Sequence, residues 1–211
     1  MSNTAICWSC HSQTAPASFF CDACHIVQPL VGLNPFEIMG ISEAFIIDPK
    51  LLDHQYFERQ KLLHPDRFAT KTSKEKMYAS QQAMAVNDAY NLLKSPLDRA
   101  DYLCVVLGGE SYKDETRKNV NPQILMASMM MREALGQAKD EAALNEMLQK
   151  NQKKQDEVVN NISKFYNEKN IAALENEILS FQYERRFMQE IKEKIAKVKG
   201  GNMATPMAFP L

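Results

Sequence analysis

Apolar residues recur at spacings of three and four along most of the chain, and proline, glycine or polar clusters separate the periodic stretches. From Pro49 to Leu63, Leu52, Tyr56 and Leu63 share one face while Arg59 and Lys61 fall elsewhere, which predicts an amphipathic helix. Pro65 stops it, because the ring keeps the preceding residue, His64, out of the helical region. After a short polar turn, Lys74 to Leu93 aligns Ala79, Ala83, Val86, Tyr90 and Leu93, a second helix expected to run antiparallel to the first. A shorter helix precedes the pair: Asn34 can cap it, Pro35 fits its first position, and it ends near Gly40. Ser42 to Asp48 is a loop whose Phe45-Ile46-Ile47 segment can fold back on the core. Ser95 and Pro96 open another helix, carried through Leu107 and ended by Gly108-Gly109.

Residues 109–120 are polar and read as a linker, and three helical segments follow. In the second, Leu144, Leu148, Asn151, Gln155, Val158, Ile162 and Phe165 alternate spacings of four and three, a heptad-like seam. The third carries Leu174, Ile178, Phe181, Met188, Ile191 and Ile195 as a comparable stripe. The turns near Lys139-Asp140 and Lys169-Asn170 are short, so the expectation is an antiparallel three-helix bundle. The first helix is apolar on two faces. Ile124, Ala127, Met131, Leu135 and Ala138 suffice for the core, yet Leu125, Met126, Met129 and Met130 form another face. That second face is either an adaptable binding surface, for which methionine is well suited, or packing against another domain. Phe187 and Tyr183 fall off the centre of the third stripe and could extend the patch. The fold class expected is all-α: a small cysteine module (1–32), a helical-hairpin domain (33–108), the linker (109–120) and the three-helix domain (121–199). Residues 200–211 read as a disordered tail, since Pro206 and Pro210 preclude a helix.

Composition narrows the partners. The chain has 211 residues and a formal net charge of -1, so no bulk field argues for nucleic acid or an acidic membrane. No apolar run approaches the roughly 20 residues that span a bilayer. The first residues show neither a secretion signal nor an Arg-rich transit peptide, which points to a bacterial-type cytosol, or to a mitochondrial matrix protein whose presequence is missing. Seven glycines and few alternating β-branched runs agree with a helical protein.

Four of the five cysteines stand as Cys7-x-x-Cys10 and Cys21-x-x-Cys24, the spacing of a tetrahedral structural zinc site with four thiolates. So short a segment buries too little apolar surface to fold alone, and the metal supplies the difference. Disulfides are disfavoured without a secretion signal, and a redox-active CxxC belongs at a strand-to-helix junction that nothing nearby resembles. His11 and His25 each follow a cysteine and could substitute as ligands, though four thiolates already fill the site. The loop between the knuckles holds no Lys or Arg, which argues against nucleic acid. Trp8, Phe19 and Phe20 are expected to pack around the metal or on the next domain. Cys104 lies in an apolar run and reads as a buried hydrophobe.

His64-Pro65-Asp66 at the tip of a helical hairpin is the layout of a J-domain. With HPDRF, then VNDAYNLLKSPLDRADYLC, Asn34 to Ile41 as an opening helix and ILMASMMMREAL from Ile124 to Leu135, roughly residues 34–198 resemble the HscB-type (Jac-type) co-chaperones of iron–sulfur cluster assembly. Similar cysteine modules precede the J-domain in some of those proteins. The resemblance implies that His64, Pro65, Asp66, Arg59, Lys61 and Arg67 dock on a DnaK-type (HscA-like) ATPase. It also implies that an IscU-type iron–sulfur scaffold is held by the residues matching Leu125, Met126, Met129, Met130, Glu133 and Phe187. Met130 replaces an acidic residue of some relatives. General J-domains carry a Gln-Lys-Arg-Asp element in their last helix; Leu97-Asp98-Arg99-Ala100 stands here instead, which argues against a broad client range. His64 and Asp66 could in principle serve as an acid–base pair, but no nucleophile, metal motif or phosphate loop accompanies them, so no catalysis and no ATP site are expected. Two rivals remain: a zinc-containing J-domain adaptor for unfolded proteins, and a CxxC redox enzyme.

Overall fold

The structure, a computed structural model, describes residues 5–15, 17–113 and 121–201. The chain divides into two compact units, Met1–Arg99 and Ala100–Leu211. Segment 114–120 of the expected linker and the expected tail from residue 202 onward lie outside the described residues.

The first unit opens with two short antiparallel strands, β1 (Ala5–Ile6) and β2 (Gln13–Thr14), which pair Ala5 with Thr14 and Ile6 with Gln13. Periodicity gave no sign of these strands, because two residues are too few to show it. Four helices follow: α1 (Pro35–Met39), α2 (Pro49–Leu62), α3 (Ser73–Lys94) and α4 (Pro96–Val106), the last of which contains the division between units. Their ends match the local chemistry. Asn34 and Glu37 form a reciprocal capping box on α1, and Thr72 and Glu75 do the same on α3. Glu75 is correspondingly held below the usual carboxylate range, chiefly by the Thr72 hydroxyl and N–H.

Both α1 and α2 pack on α3, burying Phe36, Met39, Leu52, Leu63, Val86, Ala89 and Leu93. The expected hairpin is therefore present. Tyr56 stacks on Tyr90 with centroids 4.0 Å apart, the Tyr90 hydroxyl donates to Asp53 (2.7 Å), and Asn87 accepts from Tyr56 and Gln60. Of the Phe45-Ile46-Ile47 segment, Phe45 folds into the core and Ile46 stays exposed.

In the second unit, α6 (Glu141–Asn167) and α7 (Ile171–Gly201) form the main antiparallel pair, and α5 (Pro122–Gln137) packs on α7. Leu144, Val158 and Ile162 meet Leu174, Ile178, Phe181 and Ile191 in the interior, as the two stripes require. The polar positions of the α6 seam are buried as well. Asn151 donates to the Glu184 carboxylate (2.5 Å), Gln155 donates to Asn151 (2.8 Å) and to the Glu184 carbonyl (3.2 Å), and Lys154 pairs with Glu184 at 2.5 Å. Among the described residues no helix is long and apolar enough to cross a membrane.

Arg99 is the buried cation of the first unit. Its guanidinium donates to the carbonyls of Phe45 (2.7 Å) and Leu93 and lies over the Phe45 ring, and burial pushes its pKa down to about 10. Arg99→Leu leaves two buried carbonyls without a donor, at about 1–3 kcal/mol each. Urea unfolding followed by Trp8, the only tryptophan and part of the same unit, should show a loss of about 2–6 kcal/mol.

Candidate functional site

The four expected metal ligands come together. Sγ atoms of Cys7, Cys10, Cys21 and Cys24 all lie within 4.8 Å of one another, with Cys7–Cys24 and Cys10–Cys21 at 3.7 Å. A tetrahedral thiolate centre with bonds of about 2.3 Å needs sulfur separations near 3.8 Å, so the arrangement fits. The two knuckles repeat one backbone pattern. His11 N–H donates to the Cys7 carbonyl and His25 N–H to that of Cys21, while the N–H groups of Cys7 and Cys21 reach forward to Ser12 and Ile26. His11 and His25 close these turns at φ 60 and 55, the left-handed region, and their side chains are exposed and outside the sulfur cluster.

The electrostatics favour a cation. Burial opposes ionisation of Cys7, but the N–H groups of Cys10 and Ser9 and the thiols of Cys10 and Cys24 outweigh it and bring the pKa to about 6. The Ile26 N–H favours a thiolate at Cys24, yet burial and the sulfurs of Cys10, Cys7 and Cys21 push that group up to about 12. Four thiolates this close require a positive charge among them.

At the hairpin apex, α2 is capped by Leu63. Pro65–Phe68 then forms a single 3-10 turn within the short polar connection that the sequence predicts. The side chains of His64 and Asp66 are 60% and 91% exposed, and the His64 Nδ1 accepts from the Asp66 N–H at 3.4 Å. Leu63 and Phe68, on either side, are buried. Lys61 and Arg67 are exposed beside the motif. Arg59, expected on that surface, is turned inward. Its Nε donates to the Ile38 carbonyl (2.6 Å), Nη1 to Gln55, and the guanidinium lies over Phe19 with its pKa lowered by burial. Gly40, at φ 63, makes room for it, since a Cβ there would collide with the guanidinium.

On α5 the second apolar face is open to solvent: Leu125, Met126, Met129 and Met130 are each 44–65% exposed, and Glu133 is exposed beside them. Phe187, expected to extend the patch, is buried at 5% exposure among Leu135, Leu144 and Ile191. It reaches the surface only as the floor of a groove of about 190 Å³, lined also by Met131, Ala134, Met147 and Lys150.

An HPD-tipped helical hairpin, a four-cysteine module ahead of it and a helical unit with an exposed methionine face define a J-domain co-chaperone of the two-unit type. Residues 120–195 match the family model described as the HSCB C-terminal oligomerisation domain. Over 198 residues the chain is 32% identical to the human iron–sulfur cluster co-chaperone protein HscB, spanning 92% of this chain and 82% of that one. The crystal structure of human HscB superposes with a TM-score of 0.76 over 92% of this chain and 98% of its own, at 32% identity. Chaperone HscB from Vibrio cholerae gives 0.69 over 79% and 99%, at 30% identity. The chain belongs to the HscB family.

His11→Gly and His25→Gly should each retain one bound metal and four protected thiols, because glycine satisfies the left-handed backbone at no steric cost. Cys24→Ser should lose both. Metal analysis with thiol counting checks this, and a lost metal in either histidine variant would make that imidazole a ligand.

Proposed function

We propose that the protein delivers an IscU-type iron–sulfur scaffold to a DnaK-type chaperone and stimulates that chaperone's ATPase. The observation that carries this reading is the apex: His64, Pro65 and Asp66 are all exposed in a turn flanked by the buried Leu63 and Phe68, so the motif is displayed rather than used internally. The chaperone docks on His64, Pro65 and Asp66, with Lys61 and Arg67 adding charge. Arg59 braces α2 from within. The scaffold is held on the face of Leu125, Met126, Met129 and Met130 with Glu133 at its edge. Phe187 supports that face from the groove floor, since Ala134 in the groove wall is the i+4 neighbour of Met130. The cysteine module holds structural zinc through Cys7, Cys10, Cys21 and Cys24, with no substrate position left open. Bound there, the ion supplies charge compensation and folding energy; the chain's own residues perform the docking.

Steady-state ATP hydrolysis by the chaperone is measured with this protein, with scaffold, with both and with neither. Synergy beyond the separate effects supports the reading, whereas stimulation unaffected by scaffold but responsive to denatured proteins favours a general adaptor. His64→Gln should abolish stimulation and leave scaffold affinity unchanged; normal stimulation by this variant would defeat the J-domain assignment. Met126→Ala combined with Met129→Ala should weaken scaffold binding by more than about 1 kcal/mol in calorimetry, with ATPase stimulation in the absence of scaffold intact.

A further inference from the structure

We infer that the four-cysteine module is a positioning element of the His-Pro-Asp loop, so that metal occupancy governs how well the loop is pre-organised for its chaperone. The inference rests on the reading above for the loop's role, and on the contacts within the first unit for the coupling.

The module does not stand apart from the hairpin. Val27, just past the second knuckle, shares a core cluster with Phe68 and Ala79, and Phe20 and Tyr78 pack against it. Phe68 is the last residue of the 3-10 turn that begins at Pro65, two positions beyond Asp66. The side of the loop that faces the hairpin borders a cleft of about 420 Å³, lined by Leu63, Pro65, Phe68, Ala69 and Ala79 among others. The hairpin alone therefore leaves the turn only partly supported, and the module supplies apolar contact to its anchor.

A polar chain continues from the metal ligands to α3. The Gln28 amide donates to Cys7 Sγ at 3.3 Å. The Gln28 carbonyl, with that of Phe19 (3.0 Å), accepts from the Gln82 side-chain amide on α3. Gln82 is 1% exposed, and its NH2 group, costly to bury unless bonded, finds its acceptors only on the module's backbone. Trp8, between Cys7 and Cys10, donates from Nε1 to the Val27 carbonyl (2.7 Å), packs on Tyr78 and lies under Lys74 at 4.2 Å. When the sulfurs lose their common cation, no metal bond ties the two knuckles together, and Cys7 and Cys24 loosen with the segment carrying Val27 and Gln28. Phe68 then loses its far wall, and docking must order a mobile turn.

The test follows amide exchange and chaperone stimulation in the full chain. Metal removal should speed exchange at Arg67, Ala69 and Lys71, whose N–H groups close the turn, at least tenfold, while Val86 and Ala89 inside α3 stay protected. Gln82→Leu, which touches no cysteine, should keep stoichiometric metal and speed the same three amides several-fold. It should also raise the concentration for half-maximal ATPase stimulation at least threefold without lowering the maximum, whereas Gln82→Glu, which keeps the buried donor count low, should not rescue it. Unchanged exchange at the three amides, or equal loss of protection at Val86 and Ala89, overturns the positioning role. If His64→Gln still abolishes stimulation in that case, only the coupling is wrong. Normal stimulation by His64→Gln would instead remove the reading beneath it, whatever the loop does.

Discussion

The first unit depends on a backbone constraint at Pro65. Proline has no N–H and denies the preceding residue the helical region, so His64 sits at φ -56, ψ 133 and α2 cannot continue. Without that break, the apolar lines of α2 and α3 would run on as one rod and could not face each other. With it, Tyr56 stacks on Tyr90 and both phenols find partners across the hairpin. The 3-10 turn then returns Phe68 to the interior while His64 and Asp66 remain outside. Display of the motif follows from local chemistry in the chain, with no strain stored in it.

Much of this was legible in the sequence, and the reason is periodicity. Helices α2, α3, α6 and α7 each carry an apolar line long enough to fix their type and buried face. Cysteine spacing announced the sulfur cluster, and HPD with its flanking helices announced the hairpin. What escaped was tertiary. Phe187 lies off the main stripe of α7, but α7 packs on both α5 and α6, so it buries a broader arc than one stripe. Arg59 looked like a surface cation because charge predicts solvent, yet a long side chain can lay its stem along a core and aim its head at carbonyls. Gln82 and Glu184 were hidden for the same reason. Nothing in a polar residue's identity tells that its partner is a carbonyl contributed from elsewhere in the fold.

In the second unit the buried polar seam settles a question that apolar stripes leave open. Two heptad-like faces can slide past each other by a turn with little loss of contact. A slide of that size would strip Glu184 of Asn151, Gln155 and Lys154 and leave a buried carboxylate unpaired, which costs about 3–5 kcal/mol for a broken buried pair. The seam thus selects one register as much as it stabilises it. That register places Phe187 under α5 and seats Leu135 beside it. With the inner face of α5 fixed in this way, its methionine face is turned away from the bundle interior and stays exposed.

The two surfaces proposed for binding differ in their physics. Around His64 the exposed groups are short-range polar and cationic, and attraction through Lys61 and Arg67 is screened over about 8–10 Å at ordinary ionic strength. On α5 the exposed groups are thioethers and one leucine, whose burial is insensitive to salt and tolerant of shape because methionine repacks. An electrostatic encounter is fast to form and sensitive to salt, which suits the transient docking proposed for this loop. An apolar face suits the more durable attachment proposed for the scaffold, since its burial does not depend on charge. Each of the two proposed surfaces sits on its own compact unit, the first within residues 1–99 and the second within 100–211, and so takes its shape from the packing of that unit.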